Sequence, residues 1–425
     1  MLETLRNAWK VKELRNKILF TIFIIAIFRI GSHIPVPFVN AAALFGGSSI
    51  ASSNEFFSYL SILTGGGLEY GAIFAMSITP YINASIIIQL LCVAIPYLER
   101  LSKEGEEGQK KLASITRYTA VVLGLIQGIA YFFYLKASGY LTVTGTAATW
   151  FAGIVIVAAF AAGSALVMWL GEQIDVKGIG NGISIILFAG IVSRAPDALQ
   201  AIVGYWKNNK FVAIAIVIAF LLIIAFIVWM TNAERRIPVQ YAKRVVGNKM
   251  YGGQNTHIPI KVNMSGVMPV IFASSILMLP TMILSFMSNT QSSFAKLLQL
   301  FSVRGTFYAV IYFVMIIAFA YFYATIQFNP VEMANNLRKN GGAVPGIRPG
   351  KPTSEFISKI LSRITLMGAL FLSVIAILPI IVSNVGKINI SLGGTSVLIM
   401  VGVALDTVQN LESQMMMRHY KGFLD

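Results

Sequence analysis

The sequence predicts an all-α polytopic membrane protein: ten transmembrane helices in two inverted, pseudo-symmetric halves, with a re-entrant plug half-helix. Three observations carry this. Hydrophobic residues make up 56% of the 425 and charged residues only 12%, whereas soluble domains carry about 25% charged residues. Ten apolar windows each suit a hydrocarbon core about 30 Å thick. One further apolar run, at 56–63, is too short to cross, because about eight helical residues rise only about 12 Å.

Residues 1–17 form a basic amphipathic segment, with Leu5, Ala8, Trp9, Val11 and Leu14 set against Arg6, Lys10, Lys12, Arg15 and Lys17. Such a segment is expected to lie at the cytoplasmic membrane interface. Spans are expected near 18–33, 72–94, 113–135, 150–170, 182–203, 211–231, 265–287, 306–327, 361–384 and 394–412. The first is short enough to imitate a signal-peptide core. Arg29 and Pro35-Val36-Pro37 precede the small residues at 41–43, however, so an uncleaved helix is the simpler reading. The N-terminal half then covers 18–205 with spans one to five, the C-terminal half 206–413 with spans six to ten, and a cytoplasmic tail 414–425. Five spans per half would make the halves inverted, and the second span would pair with the seventh, where Pro80 and Pro269 sit near equivalent ends.

After the short run, Gly65-Gly66-Gly67 ends any helix and permits a sharp reversal. The plug is expected at 56–67. A full helix over 72–94 follows, marked by Pro80, Asn83 and Gln89, polar or helix-breaking residues that survive at membrane depth inside protein or along a cavity. A pathway with a short element closing it is the expectation.

Loops on the side of the termini hold 25 of the 33 Lys and Arg residues, the opposite loops hold 7, and Arg29 lies within the first span. The positive-inside rule then puts both termini in the cytoplasm. The net charge of +16 follows from this asymmetry and needs no nucleic acid to explain it.

Pumps, proton-coupled carriers and intramembrane hydrolases need ionisable groups at depth. Only Arg29 and Asp406 fall well inside the expected spans, both near helix ends. His33, His257 and His419 lie in or beside loops without metal-ligand spacing, and the lone Cys92 excludes an intrachain disulfide. Glycines 178, 180 and 182 lack a preceding strand and read as a turn opening the fifth span rather than a nucleotide site. What the spans offer is aliphatic residues at helical spacing: Ile78 with Ile82, and Ile183 with Leu187. These either pack against neighbouring helices and lipid or line a narrow dewetted constriction.

Two cytoplasmic loops, 232–262 and 329–359, are long for a small-solute carrier. The first alternates apolar and polar residues about a glycine-bearing tip, predicting a two-stranded ribbon. The second is punctuated by glycine and proline, predicting an exposed basic turn. Both suit docking of a large soluble partner, or simply supply topogenic charge.

The runs ITPYINASIIIQLL (78–91), GEQI and GIGNGISIILFAGIV (171–192), QNTHIPIKVNMSGVMPVIFASS (254–275), NPVEMANNLRKNGGAVPGIRPGK (329–351) and GGTSVLIMVGVALDT (393–407) closely resemble the SecY family. These are the channel subunits of the bacterial Sec protein translocase, and the resemblance covers nearly the whole chain. It implies an hourglass of two halves that opens sideways to lipid between the second and seventh helices, in the bacterial plasma membrane. The implied function is to conduct unfolded secretory polypeptides across the membrane and release transmembrane segments into it.

Carried over by motif, the pore ring would be Ile78, Ile82, Ile183, Leu187, Ile271 and Ile399, with Leu187 standing where isoleucine is commoner. The plug would comprise Phe56, Phe57, Ser58, Tyr59, Leu60, Ser61, Ile62 and Leu63. Asn83, Gln89, Ser274 and Ser275 would line the lateral gate. Arg348, Arg244 and Lys249 would serve docking of the ATPase SecA or a translating ribosome, including its RNA. The implied partners are SecE and SecG, SecA, the ribosome, signal peptides and their polypeptides, and the lipid bilayer. No cofactor or metal is implied, and the chain itself would be no enzyme.

Overall fold

The computed structural model describes residues 6, 9–46, 61, 64–208, 210–241, 244–246, 249–251, 255–286, 297–299, 301, 305–386 and 394–421. A helix occupies each of the ten apolar windows. α1 (Lys12–Gly31) and the short α2 (Ala41–Gly46) precede a buried stretch of consecutive turns at 64–78. Then come α3 (Thr79–Ala94), α4 (Pro96–Lys103), α5 (Glu106–Ala137), α6 (Thr146–Lys177), α7 (Gly182–Val192) and α8 (Ala195–Asn208). The second half holds α9 (Lys210–Asn232), α10 (Met268–Phe286), α11 (Thr306–Gln327), α12 (Pro330–Lys339), α13 (Lys351–Gly386) and α14 (Gly394–Lys421). Strands β1 (Glu234–Tyr241), β2 (Arg244–Val246), β3 (Lys249–Tyr251) and β4 (Asn255–Lys261) separate α9 from α10, and β5 (Gly342–Ala343) follows α12.

Among the described residues, six helices are long and apolar enough to cross a membrane, and a seventh span results if α3 and α4, bent by 103°, count as one. The bend sits at Ile95, whose extended backbone (φ −109°, ψ 114°) is the conformation imposed on a residue that precedes proline. α4 and the early start of α5 therefore leave little loop where 100–117 was expected to be one. Several other expected limits also move. The second span begins at Thr79, not near 72: residues 64–78 form turns, and Pro80 sits in the first turn of the helix, where its missing N–H leaves no helical bond unmade. α1 starts at Lys12, taking in the end of the expected surface segment, and the fifth window is divided between α7 and α8. α13 begins ten residues before the expected ninth span. α14 runs on to Lys421, which puts Asp406 near its middle and not at an end.

The helices pack as two groups. In the first, α3 lies on α5 and α6, α5 on α6, α6 on α7, and α1 on both α6 and α7. In the second, α10 lies on α11 and α13, α11 on α13, α13 on α14, and α9 on both α13 and α14. Each pair in one group has its counterpart in the other. With five windows per group, this matching arrangement is an inverted repeat. The N-terminal core gathers Tyr131, Phe132, Phe160, Ile156 and Leu68, and the C-terminal core Tyr308, Tyr312, Ile316, Phe371 and Leu372. Apart from the α8–α9 hairpin, the groups meet chiefly where α7 packs on α14.

Beyond the helices, β1 and β4 form the expected antiparallel ribbon, with Ile237 opposite Ile258 and Val239 opposite Thr256. β2 pairs with β3. The ribbon gains a third strand from the next loop, since β5 pairs with Gln240 and Tyr241 of β1. Ile237, Val239 and Ile260 are buried against Leu337 of α12 and Ile357 and Leu361 of α13. The ribbon is thus anchored on the C-terminal half. Lys261 Nζ donates to Gln409 Oε1 at 2.7 Å and Lys17 Nζ to Gln414 Oε1 at 3.2 Å, so the start of α1, the end of α14 and the ribbon share one end of the molecule.

Without a hydrophobic drive between helices in lipid, close backbone approach carries much of the association. At Gly163 of α6 any Cβ would run into the Ile73 carbonyl oxygen. Gly163→Ala should therefore destabilise the fold by about 1–3 kcal/mol, lowering the thermal midpoint of the purified protein. Gly204→Ala, where nothing lies within 4 Å, should not. Equal midpoints for the two variants would refute this packing.

Candidate functional site

The site is built on two matched helix starts. Pro80 is the second residue of α3 and Pro269 the second residue of α10. Three residues before each proline the backbone turns through positive φ, +47° at Ser77 and +59° at Gly266. The segments 77–85 (SITPYINAS) and 266–274 (GVMPVIFAS) carry one shared pattern, with Ile82 and Ile271 each two residues after the proline. On the opposite wall, Asn181 Oδ1 caps α7 by accepting from the Ser184 amide at 3.0 Å, and the Asp175 carboxylate accepts from the Gly182 amide at 2.7 Å. The expected turn before α7 is thereby fixed, and Ile183 and Leu187 come next on that helix.

All six residues expected in the ring belong to one apolar cluster. Ile78, Leu187 and Ile399 are buried, and Ile82, Ile183 and Ile271 are partly buried against them. They come from the start of α3, α7, α10 and α14, so both halves contribute. Val267, the counterpart of Ile78, joins the same cluster. Next to it, Ser77 Oγ, Thr79 Oγ1 and Asn83 Oδ1 are buried without a hydrogen-bond partner. A buried polar group left unpaired costs about 1–3 kcal/mol, and these three keep unused hydrogen-bonding capacity beside the cluster.

The four expected gate residues lie on α3 and α10, which are not extensively packed on one another. Asn83 is partly buried, and Gln89 Nε2 donates to Ser85 Oγ at 3.3 Å. Ser274 is 2% exposed and donates to the Ile271 carbonyl at 2.9 Å, while Ser275 is partly buried. Of the expected plug, Ser61 and residues 64–67 are among the described residues, and all are buried; Phe56, Phe57, Ser58, Tyr59, Leu60, Ile62 and Leu63 lie outside them. Arg244 and Lys249 fall on β2 and β3, with side chains outside the description.

Arg348 is exposed. Its backbone is held by the Thr353 hydroxyl, which donates to the Arg348 carbonyl at 2.8 Å, and by the preceding turn, in which Ile347 N donates to Val344 O at 3.1 Å. Sequence reasoning missed α12, although Asn329-Pro330 is a helix-start signal: Asn329 Oδ1 accepts from the amides of Val331 and Glu332. It also missed β5, whose two residues have no pattern of their own.

A family model for SecY matches residues 72–408. The chain belongs to the SecY family. Protein translocase subunit SecY of Thermotoga maritima is 43% identical over 430 residues, covering 100% of this chain and 98% of that one. The protein of the same name from Bacillus subtilis is 45% identical over 439 residues, covering 100% of both. Among solved structures, a protein-conducting channel has a TM-score of 0.61 at 17% identity over 94% of this chain and 92% of that one. Sec61 in a canine ribosome-channel complex from the endoplasmic reticulum has 0.58 at 16%, with the same coverage. At such identities the structures speak for the fold alone. Family and fold together make this SecY-family chain a subunit of a protein-conducting translocation channel in the membrane, named as a channel component and not as an enzyme.

Proposed function

We propose that this chain forms the conduit itself, with unfolded secretory polypeptides passing through the ring of Ile78, Ile82, Ile183, Leu187, Ile271 and Ile399. The observation that carries this is the convergence of six aliphatic side chains from four helices, two in each half. An apolar constriction blocks ions by dewetting and needs no charge filter. It also yields to an extended chain when the halves part, because no covalent bond or ion pair among the described residues closes it. Transmembrane segments leave between α3 and α10, past Asn83, Gln89, Ser274 and Ser275. The sparse packing between these two helices supports that exit.

The end carrying the ribbon faces the cytoplasm, in keeping with its lysines and arginines, and the membrane is the bacterial plasma membrane. The driving force comes from partners: SecA or a translating ribosome docks on the ribbon, with Arg244 and Lys249, and on the turn with Arg348. SecE and SecG complete the channel. A secondary transporter would need paired ionisable ligand sites at the midplane, whereas the six side chains of this ring are all apolar.

Replacing Ile271 with Asn should hydrate the constriction and raise the idle ion conductance of the reconstituted channel in planar bilayers severalfold. Unchanged conductance after Ile271→Asn and Ile399→Asn would remove these residues from the pore. At the docking turn, a planar guanidinium makes forked hydrogen bonds that an ammonium cannot copy. Arg348→Lys should leave membrane topology intact yet slow SecA-driven import of a secretory precursor into vesicles several-fold, while Lys339→Ala should be mild. Full transport with lysine at 348 would reduce the residue to a topology signal.

A further inference from the structure

At the end of the molecule away from the ribbon, Ser61 and the segment 64–71 are tied to three helices by a polar network. Arg194, just beyond α7, donates through Nη2 to the Glu69 carboxylate and to the Ser61 hydroxyl, each at 2.5 Å. Ser61 Oγ donates to the same Glu69 oxygen at 2.7 Å. Arg29, in the last turn of α1, donates to the Gly65 carbonyl at 2.8 Å and to Ser193 Oγ at 3.1 Å. Tyr131 of α5 donates to the Leu68 carbonyl at 2.7 Å. Gly65 has φ +64°, and a side chain there would press on Ser193 Oγ and the Gly190 carbonyl. The segment therefore sits directly on the end of α7.

The central ion pair is unlike the others described. Arg194 and Glu69 are 14% and 16% exposed, whereas each of the remaining close pairs has at least one partner about half exposed or more. Asp197, the other carboxylate near Arg194, is 3.9 Å away and 59% exposed. Arg194 Nε is buried without a partner. Glu69 is thus the close, sheltered partner of the guanidinium, and removing either member leaves a largely buried charge without it, which is costlier than losing a surface pair. The clasped chain continues through 72–78 into Ile78 and α3, so whatever fixes it also fixes one wall of the constriction.

We propose that Arg194, Glu69 and Ser61 form a latch that holds this segment on the ends of α1 and α7 and keeps the far mouth of the pathway closed. The latch lies wholly within the N-terminal half. Its sealing role rests on the constriction proposed above; its existence as a coupled pair does not.

The test uses the full chain with its partner subunits in proteoliposomes, carrying Cys92→Ser and Thr64→Cys. Thr64 is completely buried beside Ser61. A membrane-impermeant thiol reagent is added on the face away from the ribbon. Glu69→Gln and Arg194→Gln should each raise the labelling rate of position 64 by about tenfold or more, and the double variant should label no faster than the faster single. Ser373→Cys, buried in the other half, should stay unlabelled throughout and so exclude general unfolding. Parent-like labelling in both single variants, or a double variant showing the product of the two effects, overturns the latch. Idle conductance should rise together with labelling. Faster labelling at unchanged conductance keeps the latch and overturns the seal on which its role rests.

Discussion

Backbone amides and carbonyls at membrane depth find no water, so any stretch that is neither helix nor strand must satisfy them within the protein. The turns at 64–78 meet that demand, and much of the N-terminal half is arranged around them. Ile73 N donates to Ile34 O, Val36 N to Gly71 O, Ala72 N to Gly67 O and Ser77 N to Phe74 O, all between 2.9 and 3.0 Å. Tyr131, 1% exposed, reaches across from α5 to the Leu68 carbonyl. α6 comes close enough to touch because residue 163 has no side chain. Irregular backbone so thoroughly paired behaves as a rigid strut between the far ends of α1 and α7 and the start of α3.

From that strut the constriction follows. A helix that starts at Pro80 in the middle of the bundle presents Ile78 and Ile82 at its first turn, and the matching start at Pro269 presents Val267 and Ile271. Two helices of opposite halves, α7 and α14, supply the remaining wall. The halves otherwise keep separate cores, so the seam between them is apolar, thin and free of ion pairs among the described residues. A seam of this kind closes by exclusion of water. Lys17 donates across the seam to Gln414 at the ribbon end, where Lys261 ties the sheet to Gln409 on α14, the helix that carries Ile399.

Much of this was legible in the sequence for identifiable reasons. Apolar windows located the helices because lipid selects for length and hydrophobicity together. Alternation located β1 and β4 because one face of the ribbon is buried on α12 and α13. The start of α3 was misplaced because residues 72–78 are as apolar as a helix, and only Pro80 and the positive φ at Ser77 mark the change. The repeat at 77–85 and 266–274 is nine residues long, too short to stand out before the two prolines are aligned. The Arg194–Glu69 pair joins residues 125 apart and carries no local pattern. Asp406 was misjudged because α14 continues past the apolar window on a stretch of mixed polar residues and methionines that the bilayer does not require.

The central claim is that a polypeptide passes between Ile82, Leu187, Ile271 and Ile399. A secretory precursor arrested in transit through the reconstituted channel tests it directly, with a photo-crosslinking residue placed singly at each of these positions. Controls belong at Phe211 and Leu222, which are 86% and 64% exposed on α9. Crosslinks to the arrested chain from all four ring positions, and none from the controls, are expected. Crosslinks from one half only, or equally from the controls, would contradict a shared apolar constriction.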